Sequence, residues 1–368
     1  MTNLHTALRL RLAASQAATK KFDAVCEREH EGRMHGTLQV CGASRTGRWS
    51  GRGLQLQNLK RPGYGIDNDH VAESVLDGSF PFFYGGRSAL ETLGGSIRAA
   101  VAAPEGKLLV VSDLANIESR VVGWLAGDPK LQRIFAEGRD PYKAFAEDWL
   151  RIPYDEVDKG TRNLCKPPAL GCGYGLGANG LVAYAESMGV TMDQHQAQGA
   201  VTAFRRTYSR VPALWRKLEH GFIETLLSGK PYRNTFAREG RFLTLRLPSG
   251  RKLYYDTPQH DPDEGLSYLG QNQYTGQWQR IRTYGAKLLE NLTQAVARDL
   301  LAHAMLLYTR HGGTVVGHVH DEVIAEEDAG KAQEALRLLD WCLRQVPPWG
   351  RGLVLDSEGY VAKRYRKG

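Results

Sequence analysis

Two apolar segments that are far apart in the chain restrict its fold more than any other feature. Residues 107–113 (KLLVVSD) have the unbroken apolar pattern of a buried strand. Residues 315–327 (VVGHVHDEVIAEE) predict two strands joined by a tight turn. Between them, residues 130–235 are mostly helical in pattern. Strands at both ends of a helical middle predict an α+β fold, in which one sheet is interrupted by a helical insertion.

The remaining elements follow from periodicity and turn residues. Residues 241–256 alternate around Pro-Ser-Gly, which predicts a hairpin. Residues 42–65 are rich in Gly, Arg and Gln and predict an ordered loop or an irregular hairpin. Apolar residues at helical spacing predict further helices over 6–26, 116–126, 285–310 and 331–346.

The composition is that of an ordinary globular protein with a weak preference for polyanions. The 368 residues include 48 Lys and Arg against 40 Asp and Glu, and this charge of +8 favours a nucleic-acid partner only weakly. The five cysteines form no CxxC pair, so we expect reduced thiols and a cytoplasmic location. No apolar run reaches the ~18 residues that a spanning helix needs, so no membrane partner is expected.

Each of the two apolar segments carries a carboxylate where its first strand ends. Asp113 closes the buried strand, and Asp321 is predicted to lie at the tip of the turn. A solvated turn explains an isolated His-Asp-Glu equally well, because Asp is a common turn residue. If the strands are neighbours, the two aspartates converge, and close carboxylates repel unless cations intervene. Two Mg²⁺ ions ~3.5–4 Å apart can clamp a phosphoryl displacement, an interpretation that names no substrate.

Five segments in a fixed order resemble the motifs of family A DNA polymerases. Motif A is similar to VVSDLANIESRVVGWLAGD, motif B to RNLCKPPALGCGYG and motif C to GHVHDEVIAE. RTGRWSGRGLQLQNL and TYGAKLLENLTQAVARDLL resemble the segments of the family that contact DNA, and LPSGRKLYY resembles phage-type members. The resemblance implies a right-hand polymerase: a palm of antiparallel sheet with helices, and an inserted helical fingers subdomain. It also suggests a phage or prophage source, in a bacterial or phage-infected cell.

The resemblance divides the chain into parts. Residues 41–128 and 286–368 would form the palm, with the catalytic hairpin in its second part. Residues 129–285 would form the fingers, and residues 1–40 a remnant of the thumb or of the thumb–palm connection. No DxE-type exonuclease pattern precedes these segments. We therefore expect no proofreading in this chain, low processivity, and weak DNA affinity that falls steeply with salt.

The family's catalytic roles fall on a small group of residues. The resemblance implies that Asp113 and Asp321 hold two Mg²⁺ ions, for which Mn²⁺ can substitute, with the Leu114 carbonyl as a further ligand. Glu322 would support the metal site or the primer end. His320 would steady the primer terminus.

The incoming nucleotide would be bound by motifs A and B. Glu118 resembles the family's steric gate against a ribose 2′-OH; an exposed helix Glu paired with a lysine is the alternative. Arg162, Lys166, Leu170 and Tyr174 recur every four residues and form one stripe on a helix. The resemblance assigns Arg162 and catalytic Lys166 to the triphosphate, and places Tyr174 beneath the nascent base pair.

Motif B departs from the family at two points. Leu170 stands where Phe or Tyr is usual, which leaves sugar selection at the 3′ position and turnover open. Pro167 and Pro168 follow Lys166 directly, and proline inside a helix removes donors and clashes with the preceding turn. We therefore predict a kink or break there, with Lys166 at the N-terminus of a new helix.

The resemblance also implies contacts with a primer–template. Arg48 resembles the arginine that enters the minor groove, where every correct pair presents acceptors. Neighbouring DNA contacts of the family are resembled by Gln57, Asn58 and Gln294. Many members carry a further Asn four residues before Gln294, where this chain has Glu290 with Asn291 beside it, so either residue could make that contact. Phosphate contacts are predicted, with a solvated loop as the alternative, for Arg45, Arg52, Lys60 and Arg61.

The function predicted from these motifs is DNA-templated DNA polymerisation from a primer and dNTPs. A processivity factor, or a separate thumb or exonuclease chain, is a further possible partner. A single-subunit RNA polymerase is the alternative enzyme, and Glu118 argues against it. A non-catalytic DNA-binding fragment that needs a partner is the alternative outside enzymes.

Overall fold

A computed structural model describes residues 20–59, 66–84, 89–272 and 275–366. The α-helices in these ranges are α1 Lys20–Cys26, α2 Asn68–Leu76, α3 Phe80–Tyr84, α4 Ala89–Ser96, α5 Ile117–Ala126, α6 Pro129–Ala136, α7 Pro141–Trp149, α8 Lys159–Gly171, α9 Ala178–Ser187, α10 Gln194–Thr207, α11 Arg210–Ser228, α12 Gly285–Arg310 and α13 Ala332–Arg344. The strands are β1 Glu29–His30, β2 Arg33–Met34, β3 Leu38–Ala43, β4 Arg48–Gly51, β5 Lys107–Leu114, β6 Phe236–Glu239, β7 Phe242–Arg246, β8 Lys252–Asp261, β9 Gly265–Gln271, β10 Trp278–Thr283, β11 Val315–Val319, β12 Glu322–Asp328 and β13 Ser357–Ala362.

The first apolar segment forms β5, which lies inside a four-stranded central sheet. The strand order is β11-β12-β5-β13, and all neighbours are antiparallel. Leu109, Val110 and Val111 are each at most 1% exposed, because strands flank β5 on both sides and both faces of the sheet are covered there. The prediction that the two distant apolar segments share one sheet is confirmed.

The two faces of the central sheet are covered differently. Side chains alternate between the faces along each strand. Val110 and Val323 pack into the main core, against which helices α12 and α13 are also placed. Val111 and Ile324 belong to a smaller cluster on the opposite face. Asp113 has the same parity as Val111, so its carboxylate is on the face away from the two helices.

The inserted region contains more sheet than the sequence indicates. Helices α6 to α11 confirm the helical pattern of residues 130–235, and β7 and β8 confirm the hairpin predicted for residues 241–256. These strands belong to a five-stranded antiparallel sheet with the order β10-β9-β8-β7-β6. The pattern of β10, WQRIRT, did not reveal a strand because only Ile281 and Thr283 are turned away from solvent.

The predicted break in motif B is wrong. Helix α8 runs from Lys159 to Gly171 with Pro167 and Pro168 inside it, and both prolines are buried. Their missing N–H groups would have bonded the carbonyls of residues 163 and 164. Asn163 is exposed, so water can satisfy the first of these, and burial of the two rings stabilises the helix against the cost. Lys166 therefore lies within a continuous helix, and not at a helix N-terminus.

The beginning of the chain is described only in part. The final residues of the predicted helix 6–26 form α1, and the predicted irregular hairpin is present as β3 and β4. Lys60 and Arg61, two predicted phosphate contacts, lie outside the described residues. No described helix combines the length and the apolar character needed to cross a membrane.

Candidate active site

The turn that joins β11 to β12 presents two polar residues at the end of the central sheet. Val319 pairs with Glu322, so His320 and Asp321 alone form the turn. His320 has φ of 53°, in the left-handed region that a non-glycine residue adopts only where its surroundings require it. The prediction that Asp321 lies at the tip of a tight hairpin is confirmed.

Strand pairing brings the predicted carboxylates of the two segments together. The Leu114 N–H donates to the Asp321 carbonyl at 3.0 Å, so the end of β5 adjoins the turn. Asp113 lies directly opposite Glu322 on one side and Glu358 on the other. Opposite residues of antiparallel strands share a face, so three carboxylates form a row across three strands. Sequence reasoning missed Glu358, because nothing in the sequence fixes which residue of β13 faces Asp113.

The Glu322 side chain is hydrogen-bonded to the segment that follows β13. Its Oε1 accepts a hydrogen bond from the Tyr365 hydroxyl, and both residues are buried. Burial raises the pKa of Tyr365, and the charge of Glu322 raises it further. Tyr365 was not singled out in the sequence, and only the return of the chain along β5 reveals its role. This contact restrains the Glu322 side chain next to the turn, and its role at the metal site or the primer end stays a prediction.

The carboxylates suit a hard divalent cation. Aligned like charges on neighbouring strands destabilise a sheet unless a cation or a proton compensates them. The donors offered by Asp113 and Asp321 are oxygens, which Mg²⁺ prefers, together with substrate phosphates and water. Within the described ranges, no three His, Cys, Asp or Glu side chains gather closely enough for a metal site made by the protein alone.

A cavity of about 820 Å³ lies between the central sheet, α5, the end of α8 and α12. Its wall includes six residues that the sequence analysis had selected: Glu118, Lys166, Leu170, Tyr174, Gln294 and Asp321. They come from four separate motifs, so the fold brings together side chains that the sequence places far apart. Asp113, Leu114 and Arg162 do not line this cavity.

Glu118 is held by two neighbours at the cavity wall. The Tyr174 hydroxyl donates to Glu118 Oε2 at 2.7 Å, and the Arg48 guanidinium donates to Oε1 at 3.0 Å. Burial raises the pKa of Tyr174 well above its ordinary value, and the Glu118 carboxylate raises it further. The neutral phenol therefore remains a donor at any physiological pH. Arg48 and Tyr174 take the place of the lysine partner that the alternative interpretation required.

The stripe of motif B divides between two environments. Lys166, Leu170 and Tyr174 line the cavity. Arg162 instead donates to Asp140 Oδ2 at 2.7 Å, and its guanidinium lies 5.0 Å from the centre of the Tyr142 ring. Lys166 and Leu170 lie on α8, whereas Tyr174 lies beyond its end in the short 3₁₀ helix Cys172–Tyr174, so the predicted stripe leaves α8 before its last member. The triphosphate roles of Arg162 and Lys166 stay predictions.

Helix α12 turns Glu290 and Asn291, the two alternatives of the sequence analysis, towards different surroundings. Gln294 and Glu290 line the cavity, whereas Asn291 is 2% exposed and its side chain donates to the Tyr255 hydroxyl at 3.4 Å. Glu290 is paired with Lys287 at 2.7 Å. Of the two residues, Glu290 therefore faces the cavity, and a DNA contact by either stays a prediction.

Two predicted DNA contacts lie apart from the main cavity. Gln57 lines a second cavity of about 370 Å³, between the β3–β4 hairpin and the central sheet. Asn58 is exposed and donates to the Gln55 side chain at 2.9 Å. The DNA-binding roles of these residues, and those of Arg48, Gln294 and His320, stay predictions.

The second cavity also contains His318, whose surroundings oppose protonation. Its ring meets Trp49 edge-on at 4.5 Å, and the Arg298 guanidinium lies 4.3 Å from the centre of the same Trp49 ring. Burial, then the charge of Arg298, then that of His320, lower the pKa of His318 to about 4. The imidazole is therefore neutral in the folded protein at neutral pH.

His318 should make the protein less stable in acid. In the unfolded chain the pKa of His318 is about 6.5, and in the folded protein it is about 4. Between these values the unfolded chain binds a proton that the folded protein largely excludes. The contribution of neutral His318 to the free energy of unfolding is therefore complete above pH 6.5 and is lost as the pH falls towards 4. Between pH 7 and pH 4.5 we expect the free energy of unfolding to fall by about 1–2 kcal/mol more in the wild type than in His318→Gln. Urea unfolding at both pH values measures this, and equal losses would contradict it.

Comparisons with known proteins agree on one group. The sequence profile of DNA polymerase family A matches residues 6–349. The DNA polymerase of Bacillus phage SP02 is 33% identical over an alignment that covers 99% of this chain and 57% of the phage protein. The thermostable DNA polymerase I of Thermus aquaticus is 27% identical over 70% of this chain and 27% of its own length. The chain thus spans about half, or less, of these relatives.

A solved structure shows the same fold. The POL domain of Pol1 from M. smegmatis, determined in complex with DNA primer-template and dNTP, matches with a TM-score of 0.64 at 20% identity. The match covers 98% of this chain and 52% of the other. The α+β fold predicted from the sequence, with an antiparallel sheet and helices, is confirmed.

Proposed function

The chain belongs to DNA polymerase family A, and on this basis we propose that it extends the 3′ end of a DNA primer with dNTPs, as directed by a template. The observation that carries the proposal is the 820 Å³ cavity, where side chains of four motifs meet. One wall offers the Lys166 cation and another the Asp321 carboxylate. A cleft with both suits a phosphorylated substrate and the divalent cations that accompany it.

The palm would be residues 41–128 and 286–368, which contribute all four strands of the central sheet. Residues 129–285 would be the fingers, which carry the stripe of α8 towards the cavity. Residues 1–40 would belong to the thumb or to its connection with the palm. Residues of both parts line the cavity, from α5 and α12 of the palm and from α6 to α8 of the fingers, and this supports the division.

Asp113 and Asp321 would hold two Mg²⁺ ions, or Mn²⁺ in their place, with the Leu114 carbonyl as a further ligand. Bound there, such ions would stabilise charge on the attacking and leaving oxygens of a phosphoryl transfer. The turn at His320 fixes Asp321 beside the end of β5. Tyr365 restrains Glu322 next to it. The protein's part is to keep these carboxylates ordered before the substrate arrives.

Lys166 would meet the triphosphate from the side of the fingers. It lines the cavity, and the described residues offer it no ion pair, whereas Arg162 is paired with Asp140. A lysine cation at this wall would balance the charge that spreads over the transferred phosphoryl group. Arg162 would have to exchange Asp140 for phosphate oxygens to take part.

Glu118 would exclude ribonucleotides. Its carboxylate is clamped between Tyr174 and Arg48, so it cannot swing aside at low cost to admit a 2′-OH. Tyr174 would lie beneath the new base pair, and Leu170 beside the sugar. Arg48 would enter the minor groove, and the neighbouring DNA contacts would be Gln57, Asn58, Gln294 and His320. To do so, Arg48 would have to lengthen its hydrogen bond to Glu118 or share it with the DNA.

Primer extension tests the proposal. A 5′-labelled primer on a longer DNA template is incubated with Mg²⁺ and each dNTP singly. We expect one added nucleotide only where the dNTP is complementary to the next template base. A mismatched primer end should not be shortened if this chain lacks proofreading. Binding to primer–template without extension would favour the non-catalytic DNA-binding protein, and equal extension with NTPs would favour an RNA polymerase-like enzyme.

A further inference from the structure

Strand β10 carries an exposed row of one aromatic and two basic side chains. Trp278, Arg280 and Arg282 alternate along the strand, so all three point to one face. Ile281 and Thr283 point to the opposite face, where Ile281 pairs in register with the buried Tyr268. Trp278 is 64% exposed, which is unusual for the largest apolar residue of a folded protein.

The charges of this row are available to an anion. Within the described part of the chain, Arg280 donates to two neutral oxygens, the Thr257 carbonyl and the Ser267 hydroxyl, each at 3.3 Å. Arg282 pairs with Glu264 at 3.3 Å, but both side chains are about 70% exposed. An ion pair so open to water is worth little and is readily exchanged for a phosphate.

The row leads directly to the main cavity. Strand β10 ends at Thr283, and the next residue, Tyr284, is 49% exposed and lines the cavity wall. From Trp278 to Tyr284 an extended chain spans about 20 Å. Among the described residues β10 pairs only with β9, so it is an edge strand of the second sheet. The row is therefore a track that starts at the cavity and runs outward along the edge of the second sheet.

We propose that this track, Trp278-Arg280-Arg282, binds the single-stranded 5′ overhang of the template before it enters the cavity. The inference rests on the proposed function and adds a binding surface to it. Arginines that meet phosphates, combined with an aromatic ring on which a base stacks, are how proteins hold single strands without regard to sequence. The positive charge of the row, and its continuity with the cavity, favour this occupant over another protein.

Binding to two DNA substrates tests the track. One is a blunt primer–template duplex, and the other is the same duplex with a 5′ template overhang of about ten nucleotides, within the usual range for single-strand sites. The variants are Trp278→Ala and the double variant Arg280→Gln/Arg282→Gln. Trp341→Ala and Arg337→Gln, which alter exposed residues of α13, are the matched controls. Urea unfolding establishes that every variant is folded.

We expect Trp278→Ala to weaken overhang binding about tenfold and blunt-duplex binding less than twofold. The double arginine variant should reduce the slope of log affinity against log salt by about 1.4 on the overhang alone. The two control variants should leave both affinities unchanged.

Two results would overturn the track while leaving the polymerase proposal in place. The first is an equal loss on both substrates, which would place the row on the duplex. The second is no loss on either, which would free the face for another partner. A wild-type protein that binds neither DNA would contradict the track and the polymerase proposal together.

Discussion

Asp321→Asn should lower the rate of primer extension by about 10²–10³-fold, with little change in affinity for primer–template DNA. The substitution keeps the size of the side chain and removes the charge that would hold a divalent cation in the cavity wall. Loss of several kcal/mol of charge stabilisation in the transition state gives a rate loss of this size. Single-nucleotide extension at saturating dNTP, measured over a range of Mg²⁺ concentrations, provides the rate.

Asp328→Asn is the matched control for that experiment. Asp328 is the last residue of the same strand, β12, at the end far from the turn, and it is exposed. Its substitution removes the same charge from the same hairpin and should leave extension unchanged. If Asp321→Asn extended primers at the wild-type rate, the assignment of the turn as the metal site would be wrong. If both variants lost activity equally, the cause would be the net charge or folding of the hairpin.

Glu118→Ala should allow ribonucleotides into the site. Removing the clamped carboxylate opens the space that a 2′-OH would occupy, so kcat/KM for NTPs relative to dNTPs should rise by about 10²-fold. Competition between each NTP and its dNTP on one template measures the ratio. The dNTP reaction should slow only modestly, since the carboxylate excludes a group that dNTPs lack.

Tyr174→Phe separates the clamp from the bulk of the gate. It removes only the hydroxyl that donates to Glu118 at 2.7 Å, and Arg48 still holds the other carboxylate oxygen. We expect an increase in NTP use that is clearly smaller than that of Glu118→Ala. An unchanged ratio in Glu118→Ala would show that another group selects the sugar. A larger effect in Tyr174→Phe than in Glu118→Ala would make the phenol itself the gate.

Much of the site could be predicted because its parts are local in sequence. The strand 107–113, the helix after it and the hairpin around His320 and Asp321 each follow from a short pattern. The four-residue spacing of Lys166, Leu170 and Tyr174 places them on one face of any helix. Glu118, in the first turn of α5, could likewise be selected from its place in motif A before its partners were known.

The failures have one physical origin, which is that the deciding partner is distant in the chain. The two prolines of α8 were expected to break the helix by their local cost, but burial in the core outweighs that cost. Strand β10 has too few apolar residues to reveal a strand, and its pairing with β9 defines it. Whether Glu290 or Asn291 faces the cavity depended on the rotation of α12 against Tyr255.

The sequence by itself determined the family, the main helices, the strands of the two apolar segments and the candidate site residues, because these depend on spacing along a few turns or strands. Only the tertiary structure decided which of those residues meet. In the folded chain Asp113 lies between Glu322 and Glu358 on the neighbouring strands. Tyr365 donates a hydrogen bond to Glu322, and Arg162 donates one to Asp140. Strand register and helix rotation fix such contacts, and both are set by packing between segments that no local pattern encodes.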